Sequence, residues 1–146
     1  MRLVLGILIA IILLVLILRD RLVLKPQADE HRPDLERAWH SVHHPSSSAL
    51  IDEHNLGKTG RVLVGGSFKS SMSYLELRAH YDVALAELGW RFRSERGLRD
   101  WGRDLGGHEA TYCNGSESAT LEVTGERAGY GWTYSLDFGW GQHVCP

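Results

Sequence analysis

The sequence predicts an α+β fold: an N-terminal transmembrane helix, then a curved antiparallel sheet packed on one main helix, in the order β-β-α-β-β-β-β. Three observations carry this reading. An unbroken apolar run fills Leu3 to Leu18. One amphipathic segment, from Ser73 to Gly89, has both of its ends marked. The stretch from Tyr130 to Trp140 alternates with period two, placing Tyr130, Trp132, Tyr134, Leu136, Phe138 and Trp140 on one face.

The apolar run is fenced by Arg2 on one side and by Arg19 and Arg21 on the other. Its sixteen residues span about 24 Å as a helix, short of the ~30 Å hydrocarbon core. Flanking arginines can snorkel to the headgroups, and Leu22 to Leu24 adds an interfacial turn. No small-x-small cleavage site follows, so residues 1–24 are expected to be an uncleaved single-pass anchor, with the lipid bilayer as the partner of Leu3 to Leu18. The basic residues Arg19, Arg21 and Lys25 outnumber Arg2 and favour a cytoplasmic domain. The two cysteines, Cys113 and Cys145, favour the other side. A bridge between them would constrain the unfolded chain by about 3–4 kcal/mol and persists outside the cytoplasm; the alternative is two unrelated buried thiols. An extracytoplasmic domain is the expectation.

Residues 25–48 are expected to form a polar stalk, with a short helix from Asp34 to His43 bounded by Pro33 and Pro45, and a serine joint at Ser46 to Ser48. A chain starting near Ser47 is therefore expected to fold alone, as one globular domain over residues 49–146. Within it, Ala49 to His54 and Arg61 to Phe68 are strand candidates, and Gly65-Gly66 marks a bulge or a close backbone approach. Ser73 and Glu76 form a capping box. Tyr74, Leu77, Tyr81, Ala84, Leu85 and Leu88 then recur at helical spacing up to Gly89. Alternation returns around Trp90, around Ala110 and around Leu121. Gly115-Ser116 reads as a two-residue hairpin turn. One apolar and one wet face per strand imply a sheet covered on one side.

The segment Tyr81-Asp82-x-x-Leu85-x-x-Leu88-Gly89-Trp90 resembles the helix-to-strand junction of small membrane-anchored or exported bacterial α+β domains of unknown function. The resemblance covers this junction only. It implies the fold and a cell-envelope setting, and it brings no site residue with it.

The formal charge of −2 is uneven. Residues 1–32 hold five basic and three acidic side chains, net +2; the remaining 11 basic and 15 acidic side chains leave −4 on the rest. An acidic domain argues against nucleic acid as a partner. The chain has no G-x-S-x-G, no phosphate-binding glycine loop and no cofactor motif, so no cofactor is expected and catalysis is disfavoured.

Two constellations stand out. Glu36, His40 and His44 recur at i, i+4 and i+8, a spacing that can hold zinc or copper on one helix face; a histidine-rich stalk has the same appearance. The segment from Glu95 to His108 reads as a long loop in which Arg96, Arg99 and Arg103 can grip an anion and Trp101 can stack. Asp100 and Asp104 beside them can instead neutralise the arginines, leaving Trp101 as a structural plug. The expected function is a non-catalytic binding or accessory domain, with a membrane protein as partner. Alternatives are an immunity or superinfection-exclusion factor, and an envelope-polymer hydrolase using Asp100, Asp104 or Glu109.

Overall fold

The computed structural model describes residues 2–146 apart from 20, 21, 23, 24, 59, 101, 102, 126–128, 142 and 143, and at 2–7, 10, 25, 26, 100 and 105 it describes the backbone only. Period-two alternation becomes one antiparallel sheet. Its strands are β1 (Ala49–Lys58), β2 (Arg61–Lys69), β3 (Arg91–Asp100), β4 (Arg103–Asn114), β5 (Glu117–Val123) and β6 (Tyr134–Trp140). They lie in the order β1-β2-β6-β5-β4-β3, every neighbour antiparallel. Val62, Val64, Phe68, Ala110, Tyr112, Leu121, Tyr134, Leu136 and Phe138 form the buried face.

Two helices cover that face. Helix α3 (Tyr74–Glu87) starts at the Ser73–Glu76 capping box and buries Leu77, Tyr81, Ala84 and Leu85. It stops because Gly89 takes φ +86°, so the Gly89 and Trp90 amides donate back to the Ala86 and Leu85 carbonyls. Helix α2 (Lys25–Ser41) covers β1, β2 and β6. Phe68 and Tyr134 stack where the two helices meet, with Trp39 against Phe68 and Tyr81 against Tyr134.

Three expectations are corrected here. Helix α1 (Arg2–Arg19) has 18 residues, about 27 Å at ~1.5 Å each. Among the described residues no helix is long and apolar enough to cross a membrane, which overturns both the transmembrane helix and the single-pass placement. The element order carries three helices, α-α-β-β-α-β-β-β-β, because the expected stalk is the helix α2. Ala28, Leu35 and Trp39 along it, and Val42 just past its end, are buried, while Pro33 sits on its exposed side and lies within the helix. Polar clamps hold it down: His31 to Glu117, Arg32 and Glu36 to Asn55, and Trp39 Nε1 donating to Glu53 at 2.8 Å.

The third correction concerns the expected long loop. It is a continuation of the β3–β4 hairpin, paired as far as Asp100 opposite Arg103, with a register shift between Leu98 and Arg99. Charged side chains suit an edge strand, where they discourage pairing with other chains. Other local signals appear as read: Gly115 takes φ +57° in the β4–β5 turn, and Cys113 and Cys145 form a disulfide with Cα atoms 5.7 Å apart.

Candidate functional site

The helices leave the other face of the sheet open, and side chains there fall into cross-strand rows. One row runs His54, Gly65, Asp137, Thr120, Thr111 and Ser94. The next runs Asp52, Ser67, Ser135, Glu122, Glu109 and Arg96. Three carboxylates thus gather at the centre of the sheet, with an imidazole toward one edge and a guanidinium toward the other.

Two clusters organise the rows. In the first, Asp137 Oδ1 lies 2.7 Å from His54 Nε2, and the Ser135 hydroxyl donates to Asp137 Oδ2 at 3.0 Å. Burial pushes the Asp137 carboxyl above its usual range, against the opposing pull of His54 and Ser135. Both side chains converge on the carboxylate and the imidazole makes no hydrogen bond to the serine. The carboxylate stands between serine and imidazole, so the trio lacks the serine–histidine contact of a Ser–His–Asp triad. In the second cluster Arg96 Nε and Nη2 both donate to the Glu109 carboxylate at 2.8 Å. Arg96 is mostly exposed, whereas Glu109 is buried.

Between the clusters sits Glu122. Its carboxyl is pushed up to about 7, first by burial and then by the negative charges of Glu109 and Asp137, with Arg96 opposing. No hydrogen-bond partner for it occurs among the described residues.

Glycine makes the first cluster possible. His54 on β1 reaches Asp137 on β6 across β2, and Gly65 is the β2 residue between them. A Cβ there would lie 2.3 Å from Asp137 Oδ1 and 2.4 Å from the Leu136 carbonyl oxygen. This is the close approach expected at Gly65-Gly66. Gly65→Ala is expected to lower the unfolding free energy by about 1–3 kcal/mol in urea titration. A smaller loss in a His54→Ala background would isolate the share due to the imidazole–carboxylate contact.

The residues singled out from sequence are distributed differently. Arg96 and Arg99, with Gly97 and Glu109, line a cavity of about 370 Å³ at the β3 edge. The Asp104 carboxylate accepts from the Gly106 amide at 2.8 Å and so belongs to the hairpin end. Arg103 stands opposite Asp100 in the ladder; the Asp100 side chain and the whole of Trp101 lie outside the described residues. The histidine constellation is not brought together. Glu36 accepts from Asn55, His40 is exposed beyond it, and α2 ends at Ser41, before His44. His44 packs on Phe68 and hydrogen-bonds the Tyr81 hydroxyl at 2.9 Å. Burial, helped by His80 and His43, drops it to about 4, which keeps it neutral. Among the described residues no group of three His, Cys, Asp or Glu side chains is placed to hold a metal ion.

Sequence reasoning missed the carboxylate rows, although a signal existed. Ser135 and Asp137, Thr120 and Glu122, and Glu109 and Thr111 are the polar members of three alternating strands. Comparison of the chain with known protein families, with curated proteins and with solved structures finds no match.

Proposed function

We propose that this chain is a binding or accessory domain without catalysis of its own, and that it docks a protein partner on the open face of its sheet. Glu122 carries the reading. A carboxylate partly withdrawn from water beside two others, with no donor of its own among the described residues, weakens the fold. A partner that brings a basic side chain to Glu122 and Asp137 removes that penalty on binding. Arg96 and Arg99 at the β3 edge supply the opposite charge and so fix the partner's orientation. Binding is favoured over hydrolysis because Glu109 and Glu122 are direct ladder neighbours on one face. An acid and a base working on a sugar bond must stand on either side of it.

The test compares the intact protein with Arg99→Ala and Glu122→Gln after mild cross-linking in its native source and mass spectrometry of the captured proteins. Arg99 is exposed, and an exposed charge of this kind is typically worth ~0–1 kcal/mol, so circular dichroism should show both variants folded. A partner captured by the intact protein should be lost or depleted about tenfold in each variant. The same capture by all three proteins would reject the open face as the docking surface.

A further inference from the structure

The sequence periodicity assigns Tyr130 and Trp132 to the last strand, but β6 begins only at Tyr134. The two rings instead stack on each other outside the sheet, centroids 5.1 Å apart and planes 6° from parallel, and Tyr130 is 45% exposed. They line a wide, shallow hollow at the end of β2, on the far side of the core from the Arg96 edge.

The platform is held in place by backbone. The Thr133 amide donates to the Phe68 carbonyl at 2.8 Å, and the Thr124 amide and hydroxyl both donate to the Thr133 carbonyl. Parallel stacking leaves each ring one π face turned away from its neighbour. Such a face carries negative potential and attracts the polarised C–H bonds of a pyranose ring.

The polar lining has the matching chemistry. Ser47 and Ser71 line the hollow, are exposed, and have no hydrogen-bond partner among the described residues, so each hydroxyl can donate to and accept from a sugar hydroxyl. Lys69 is exposed and makes no ion pair among the described residues, and the described lining contains no carboxylate. One cation with no anion beside it selects a negatively charged ring. Of the backbone amides beside Lys69, that of Ser70 donates to Thr133 Oγ1 and that of Met72 to Ser70 Oγ. We propose that this hollow binds an acidic saccharide, stacking a uronate ring on the Tyr130–Trp132 pair with its carboxylate at Lys69. The site shares none of the residues proposed to dock a partner, Arg96, Arg99, Glu122 and Asp137, so the two proposals fail independently.

The experiment is a titration of the full chain, followed by NMR, with three probes: trigalacturonate, neutral maltotriose and adenosine monophosphate. Trigalacturonate should shift the Trp132 indole and the amides from Lys69 to Ser71, and maltotriose should do so about tenfold more weakly. Lys69→Gln should bring trigalacturonate down to the level of maltotriose, and Tyr130→Ala should abolish both responses. Either residue is exposed, so both variants should keep the wild-type spectrum elsewhere. No response to either sugar, tighter binding of adenosine monophosphate, or sugar binding untouched by Tyr130→Ala would each overturn the proposal.

Discussion

A chain beginning at Ser47 is expected not to fold, whereas one beginning at Lys25 is expected to melt cooperatively. The difference is helix α2. Leu35 and Trp39 on it, and Val42 just past its end, are buried at 0%, 5% and 5% exposure against the core face of the sheet. Burial of a large apolar side chain is worth about 1.5–3 kcal/mol. Removing three of them and wetting the surface beneath costs an amount comparable to the ~5–15 kcal/mol that holds an ordinary domain together. Trp39 adds its indole bond to Glu53 and its contact with Gly66, where a Cβ would meet the ring at 3.0 Å. Circular dichroism melts and dye binding to exposed apolar surface make the comparison directly. A sharp two-state melt of the shorter chain would show that α2 is dispensable. A milder form of the test is Trp39→Ala, expected to cost about 3–5 kcal/mol.

The failure to see α2 as core has a physical cause. Its buried residues, Ala28, Leu35 and Trp39, are scattered among others that are mainly charged or polar, and Pro33 looks like a boundary. The burial of such a helix is decided by what lies under it, not by its own composition. Local signals behaved differently. The capping box at Ser73, the left-handed glycines at 89 and 115, and the alternation from Tyr134 to Trp140 each depend on a few neighbouring residues, and each appears in the structure, whereas Tyr130 and Trp132, read from the same alternation, lie outside the strand. The site lies at the other extreme. His54 and Asp137 are 83 residues apart and meet because β6 inserts beside β2, a pairing that no single strand encodes. Arg96 and Glu109 are closer, 13 residues apart, yet the register shift after Leu98 hides their pairing from simple counting back along the hairpin. The wet faces were legible as wet. Their assembly into rows required the strand order.

Raising the pH from about 4.5 to about 8 is expected to cost the domain ~2–3 kcal/mol through Glu122. The carboxyl titrates near 4.5 when unfolded and at about 7 when folded. Below the first value it is neutral in both states and imposes no penalty. Between the two, the unfolded chain ionises and gains hydration while the folded chain keeps its proton, so stability falls by about 1.4 kcal/mol per pH unit. Above about 7 both states are ionised and the loss is complete. Partial exposure of the side chain trims the full value to the range given. Asp137, raised for the same reason, acts in the same direction. Glu76, lowered by its bonds to Ser73, acts in the opposite one, at lower pH. Glu122→Gln carries no proton to lose, so urea titrations of this variant should show a flatter pH profile and greater stability than the unaltered protein at about pH 8, with little difference at the acid end. An unchanged slope in the variant would remove Glu122 as the strained group on this face. If it is the strained group, a basic partner side chain reverses the balance. Docking then favours the ionised form, and affinity should rise with pH over the same interval in which the unbound fold weakens.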